Sequence, residues 1–73
     1  MSTEVKSLAP HQLRVVKEQA ELNERITALE AFMYPDAATP FVTLDPRQQS
    51  LLKQQLDAMK AYEHILALRI SYF

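Results

Sequence analysis

The sequence predicts an all-α fold, in which two long helices form an antiparallel hairpin and a single domain spans residues 1–73. Three observations support this fold class. Apolar residues recur at intervals of three and four through two long segments, prolines stand where these segments begin, and the chain contains no glycine. Since the tight turns of most β-hairpins depend on glycine, a chain without it favours helices over a sheet.

The first helix is expected over residues 10–34, after a polar segment at residues 1–9 that is flexible or forms a short helical turn. Pro10 suits the first helical position, because the amide hydrogen it lacks would have no partner there. Pro35 disfavours helical geometry in the preceding residue, so the helix is expected to end just before it. The apolar side chains of this segment form one stripe that faces the core. They are Val15, Leu22, Ile26, Leu29 and Met33.

A loop is expected over residues 35–45. It contains two prolines and no glycine, which predicts a stiff connection, and Phe41 and Leu44 are expected to pack back on the helices. A short connection between two long helices makes them antiparallel neighbours.

The second helix is expected over residues 46–72. Asp45 is placed to cap its first turn, Pro46 takes the first position, and Gln48 is placed to reach back to the cap. No proline or glycine interrupts the pattern from there to the last residue given.

The second helix carries more apolar surface than one partner helix can cover. One seam, interrupted by Glu63, consists of Leu52, Leu56, Met59, Leu66, Ile70 and Phe73. A second stripe beside it consists of Leu51, Ala58, Tyr62, Ile65 and Tyr72. One stripe serves the hairpin, and the other is left for another subunit, because soluble monomers rarely expose so wide an apolar band. The alternative is that Tyr62 and Tyr72 merely cover the edge of the hairpin.

The length of the chain also favours a homo-oligomer. A chain of 73 residues buries only about 60% of the surface that its unfolded form exposes. Such chains usually rely on disulfides, a structural metal or association. There is no cysteine, and His11 and His64 do not stand in a zinc-binding spacing, which leaves association.

Composition and charge narrow the class of function. A net charge of −1 argues against binding to duplex nucleic acid, which rests on clustered positive charge. The N-terminal residues do not resemble a signal peptide and no apolar run approaches the length of a membrane span, so we expect a soluble intracellular protein. Glycine-rich phosphate loops and catalytic sets at suggestive spacing are missing, so we expect no enzyme, no cofactor and no metal.

A polar stripe runs along the first helix at His11, Arg14, Glu18, Glu21 and Arg25, in steps of three and four. As a solvated face it would hold the ion pairs Arg14–Glu18 and Glu21–Arg25, each worth about 0.2–0.5 kcal/mol. As a binding site it would suit a small anion. Arginine offers a planar fork to phosphate oxygens, and the His11 ring is able to stack on a base. The residues by themselves leave both interpretations open.

The chain resembles the small phage anti-CBASS sponge proteins, whose hairpin domain is shared with a Thoeris anti-defence sponge. The likeness covers residues 11–70 and is carried by HQLRVVKEQAELNERITALEAF and LLKQQLDAMKAYEHILALRI. The shared pattern in the first stretch is aromatic-Gln-x-Arg-Val, then Glu and Leu, a basic residue before Ile, and Leu-x-x-Phe. In the second stretch it is Leu-Leu-x-x-Gln-Leu-x-x-Met-x-x-Tyr followed by Leu-x-x-Arg-Ile.

The resemblance implies a non-catalytic protein, made by a phage or prophage, that acts in the cytoplasm of the infected bacterial host. It implies assembly into a homo-oligomer, a hexamer. It also implies that the assembly binds and sequesters cyclic oligonucleotide second messengers, both cyclic dinucleotides and trinucleotides, without cleaving them. CBASS-type immunity would thereby be blocked.

The resemblance also assigns ligand-binding residues. His11 stands at the position of the aromatic residue that stacks on a base, and Arg25 at that of the basic residue that meets the phosphates. Both depart from the family pattern, with His in place of Tyr and Arg in place of Lys, so phosphate binding is kept while the stacking ring is smaller. Arg69 corresponds to a second pocket for cyclic trinucleotides, and Arg14 and Thr27 complete the predicted set.

A hypothesis from a different class is a small phage protein-interaction module. Short helical hairpins bind partners readily by offering one helix face to a groove. In this interpretation the exposed apolar stripe of the second helix inhibits a host regulator.

Overall fold

The computed structural model describes residues 7–34 and 40–73. They form two long helices, α1 (Pro10–Met33) and α2 (Pro46–Ser71), with a 3-10 helix at Pro40–Thr43 between them. No strand occurs in these two ranges, which confirms the all-α prediction.

Part of what the sequence predicts falls outside the described residues. Of the N-terminal segment, residues 7–9 are described and have no regular secondary structure, while residues 1–6 lie outside. Of the predicted loop, residues 35–39 also lie outside.

The first turn of α1 is closed by its own backbone and one glutamine. The amide of Ala9 donates to the side-chain oxygen of Gln12 at 2.9 Å, and the carbonyl of Ala9 accepts from the amides of Gln12 and Leu13. At the other end, the amide of Tyr34 donates to the carbonyl of Glu30 at 2.9 Å. The helix stops there because Pro35 follows.

The first turn of α2 has the predicted cap at Asp45 and the predicted Pro46, but not the predicted contact of Gln48. The Asp45 carboxylate accepts from the amide of Arg47 at 2.8 Å, and Pro46 occupies the first helical position. The prediction for Gln48 is wrong, since its exposed side chain makes no hydrogen bond back to Asp45 in the described structure. Gln49, one residue later and half-buried, is the glutamine that reaches back.

Gln49 holds the preceding turn against α2. Its side-chain amide donates at 3.1–3.3 Å to the carbonyls of Phe41, Val42 and Leu44. Successive residues of a helix point about 100° apart, so only Gln49 faces the 3-10 helix. One side chain therefore ties three carbonyl groups of the turn to the first turn of α2.

The 3-10 helix was not expected within the predicted loop. It closes with a hydrogen bond from the amide of Leu44 to the carbonyl of Phe41 at 3.1 Å. Phe41 is buried and meets Phe32 edge to face, with ring centroids 6.1 Å apart, and Leu44 packs against the core. The predicted packing of Phe41 and Leu44 on the helices is thus confirmed. No described residue has a positive φ, so this turn is built without a position that would favour glycine.

The core is a single seam between the two helices. In the described part of the chain, its fully buried side chains are Leu22, Ile26, Met33, Phe41, Leu56 and Leu66. Partly buried side chains packed around them are Val15, Leu29, Phe32, Leu44, Leu52 and Met59. The core-facing stripe predicted for the first helix and the central part of the seam predicted for the second are confirmed.

Two polar contacts along one flank of the seam show that the helices are antiparallel. The side-chain amide of Gln19 donates to Glu63 at 3.0 Å, and the Lys60 ammonium meets the Glu30 carboxylate at 2.8 Å. The later residue of α1, Glu30, contacts the earlier residue of α2, Lys60, as expected for antiparallel helices. Glu63, which interrupts the apolar seam, is half-buried and accepts the hydrogen bond from Gln19. The hydrogen bond and the negative charge of Glu30 raise the pKa of Lys60.

The outward face of α2 stays uncovered in the single chain. We define its outer stripe as Leu51, Ala58, Tyr62, Ile65, Leu68 and Tyr72, all exposed. Tyr72 is 86% exposed and does not cover the edge of the hairpin, whereas Tyr62 is 44% exposed and is covered over more than half of its surface. The molecule measures 52 × 22 × 16 Å, the proportions of a rod with little interior.

Leu66 is 1% exposed, and truncating it tests how much of the stability rests on the seam. Leu66→Ala is expected to lower the free energy of unfolding by about 2–5 kcal/mol, because it leaves a cavity in the core. Urea denaturation followed by circular dichroism measures the loss. The matched control is Leu13→Ala, at a leucine of α1 that is 54% exposed, for which we expect a change within about 0.5 kcal/mol. Equal losses in the two variants would contradict this account of the core.

Candidate functional site

The polar stripe of α1 lies along one flank of the seam. Its residues His11, Arg14, Glu18, Glu21 and Arg25 are exposed except Glu18, which is partly exposed. Helical spacing places them on the side of α1 opposite to the flank that is closed by Gln19 and Glu30. We call their side the open flank, because no described polar contact crosses between the helices there.

Cations on the open flank therefore take no part in described contacts between the two helices. On α2 the same flank carries Gln55 and Met59, whose amide and sulfur lie 3.9 Å apart. Arg14 makes no ion pair in the described structure, and the side chain of Arg25 is 55% exposed. Exposed guanidinium groups with unused donors suit phosphate oxygens.

The ion pairs of the stripe differ from those predicted. Arg14–Glu18 and Glu21–Arg25 do not form among the described residues. Instead, Nη2 of Arg25 lies 3.8 Å from Oε2 of Glu18, two helical turns earlier. Exposed pairs of either spacing are worth well under about 1 kcal/mol, so the difference has little effect on the stability of the helix.

Distances along the helix limit what one chain offers to one ligand. At 1.5 Å per residue, His11 and Arg25 are separated by about 21 Å along the axis of α1, and Arg14 and Arg25 by about 16 Å. A ligand that touched both His11 and Arg25 of one chain would have to extend over almost four turns. Stacking and phosphate contacts at one small ligand thus need residues from a second copy, or residues other than this pair.

Thr27 lies on another side of α1. With Asn23, Glu24, Ala28 and Ala31 it lines an open, largely apolar depression of about 440 Å³ on the face away from the seam. The depression exists because Thr27, Ala28 and Ala31 have small side chains. No other predicted ligand-binding residue lines it.

The sequence analysis did not predict this depression. The sequence does contain a pattern that indicates it: the small residues Thr27 and Ala28 stand four and three residues before Ala31, so all three lie on one side of the helix.

Arg69 belongs to the outward face of α2. It is exposed in the last turn of the helix, with Ile65 one turn before it and Tyr72 one turn after it. A cation in that position is stabilised by the helix dipole without any ligand. Of the five predicted ligand-binding residues, His11, Arg14 and Arg25 lie on the open flank of α1, Thr27 lies on the side of α1 away from the seam, and Arg69 lies in the last turn of α2.

Other kinds of site find little support in the described residues. No group of three or more histidine, aspartate or glutamate side chains in residues 7–34 and 40–73 is arranged to hold a metal ion. No helix in those ranges is long and apolar enough to cross a membrane.

Comparison with known families identifies this chain. The Sequestin family model matches residues 9–72, which include both helices and all five predicted ligand-binding residues. No curated protein and no solved structure matches the chain.

Proposed function

Because the chain belongs to the Sequestin family, we propose that it binds and sequesters cyclic oligonucleotide second messengers without cleaving them. The ligands are cyclic dinucleotides and, at a second pocket, cyclic trinucleotides. The protein comes from a phage or prophage, acts in the cytoplasm of the infected bacterium and blocks CBASS-type immunity.

The observation that carries the proposal is the extent of the family match. It runs through residues 9–72, and the family name denotes sequestration. The anti-CBASS resemblance lies within the same residues, at His11, Arg25 and Arg69. Exposed arginines on the open flank are compatible with binding an anionic ligand that is later released without having been cleaved.

In the proposed complex, Arg25 meets the phosphates and His11 stacks on a base. Since these two residues are about 21 Å apart on one helix, the proposal requires that different copies of the chain supply them at one pocket. Arg14 adds a second cation on the same face as Arg25. Arg69 is assigned to the trinucleotide pocket, and Thr27 completes the proposed set of ligand-binding residues.

The proposal includes a homo-oligomer, a hexamer, assembled through the outer stripe of α2. Four of its large side chains, Leu51, Tyr62, Ile65 and Leu68, are 44–55% exposed in the single chain. A contiguous apolar stripe of this kind is typical of an interface. Burying it would also add to the small core of the hairpin.

The same stripe favours a second candidate function, a protein-interaction module that inhibits a host regulator. The two functions differ in what the purified protein carries. Denaturing the protein and analysing the released material by mass spectrometry distinguishes them, since the first predicts a cyclic oligonucleotide and the second a host protein.

The oligomer is tested by sedimentation of the parent and of two variants. We expect a parent species several times heavier than the 8.4 kDa chain. Ile65→Asp, at the middle of the outer stripe, is expected to yield lighter species, because a buried unpaired charge is costly. Leu13→Asp is the matched control, with 54% exposure against 53% for Ile65, and is expected to sediment like the parent. A folded parent that sediments as a monomer would overturn this part of the proposal.

Arg25→Ala is expected to weaken binding of a cyclic dinucleotide about ten- to a hundredfold, because charge-assisted hydrogen bonds worth about 1.5–3 kcal/mol are lost. Stability should change by only a few tenths of a kcal/mol, since the exposed pair with Glu18 contributes little. Calorimetric titration measures the affinity. Arg47→Ala removes the same charge from an exposed position at the start of α2 and serves as the control. Unchanged affinity in Arg25→Ala would remove the stripe from the binding site.

The stacking residue is tested in the same titration. His11→Ala is expected to weaken binding, since stacking is worth about 1–3 kcal/mol per base. His11→Tyr is expected to keep or strengthen it, because the larger ring covers more of the base. Equal affinities in both variants and the parent would contradict stacking at His11.

Release of intact ligand separates sequestration from catalysis. We expect that a cyclic dinucleotide incubated with the protein, then freed by heating, elutes unchanged on chromatography. A linear product that accumulates in proportion to protein concentration would show that the protein is an enzyme.

A further inference from the structure

The contact between Arg25 and Glu18 differs in kind from the second ion pair found among residues 7–34 and 40–73. Lys60 and Glu30 are 2.8 Å apart, a charge-assisted hydrogen bond that joins the two helices. Arg25 and Glu18 are 3.8 Å apart on a single helix, beyond hydrogen-bond distance. What remains between them is a non-directional attraction between two charges that are about half exposed to solvent.

This geometry bears on how Arg25 presents itself to a phosphate. A residue that orients a guanidinium does so through short, directional hydrogen bonds, and Glu18 provides none to Arg25. Its carboxylate does, however, place a negative charge beside the guanidinium. An arriving phosphate is repelled by that charge and competes with Glu18 for the positive charge of Arg25.

We propose that Glu18 is a built-in competitor for the phosphate site at Arg25, and that it sets the affinity of that site. This inference rests on the proposed function. A singly charged phosphate group exchanges one anion for another at Arg25 and gains little from electrostatics. A cyclic oligonucleotide gains further contacts beyond Arg25, so it binds despite the competitor.

The chain offers a matched control for this role. Glu21 lies on the same stripe of the same helix and carries the same charge, but forms no ion pair with Arg25 in the described structure. Glu18→Gln and Glu21→Gln each remove one negative charge with almost no change of shape. Only Glu18→Gln removes the carboxylate that is paired with Arg25.

The test is calorimetric titration of the full chain with cyclic di-AMP and cyclic di-GMP at low salt. Glu18→Gln is expected to bind the preferred probe about 2–5-fold more tightly than the parent, the range typical of an exposed ion pair. Glu21→Gln is expected to show less than half of that gain. Added salt should shrink the gain, because exposed charges are screened. In an Arg25→Ala background, Glu18→Gln should have no effect.

The outcomes separate this inference from the proposed function. Equal gains in Glu18→Gln and Glu21→Gln would reduce the effect to net charge and overturn the competitor role. Weaker binding in Glu18→Gln would overturn it too, since Glu18 would then hold the ligand or orient Arg25. A parent that binds neither these probes nor any other cyclic dinucleotide or cyclic trinucleotide would overturn the proposed function, and the inference with it.

Discussion

The single apolar seam between α1 and α2 is the constraint on which the rest of the structure depends. Two helices have only one shared face, so the described core contains few fully buried side chains, among them Leu22, Leu56 and Leu66. Every other face of both helices meets solvent in the single chain. The cations of the open flank, the depression at Thr27 and the outer stripe of α2 are all consequences of this arrangement.

The two flanks of the seam are unequal. One is closed by the contacts of Gln19 with Glu63 and of Glu30 with Lys60, which fix the antiparallel register of the helices. The open flank has no such contact among the described residues, and its exposed arginines are not used for holding the hairpin together. The arginines of the open flank can therefore vary without loss of the fold.

Much of the fold could be predicted because it follows from spacing. The intervals of three and four between Leu22, Ile26, Leu29 and Met33 indicate one buried helix face, and the prolines mark where helices begin. The assignment of the capping glutamine to Gln48 failed because the neighbouring residue faces the 3-10 helix, and that helix was itself not predicted.

The candidate site could be predicted only in part. The stripe from His11 to Arg25 follows from helical spacing, but its ion pairs depend on exposed rotamers whose energies differ by less than about 1 kcal/mol. Thr27 and Arg69 came from resemblance, and a single chain places them on surfaces away from Arg25. In the proposed oligomer, contacts between copies would decide which of these residues meet in one pocket, and helical periodicity within one chain contains no information on such contacts.

The turn before α2 has a consequence for the denatured chain. The described residues make this turn without a positive φ, and the sequence contains four prolines and no glycine. Glycine widens and proline narrows the range of backbone conformations of an unfolded chain. The denatured ensemble of this protein is therefore restricted, and less conformational entropy is lost when the two helices come together. A seam with few buried side chains can stabilise the hairpin partly because the unfolded chain loses less conformational entropy on folding.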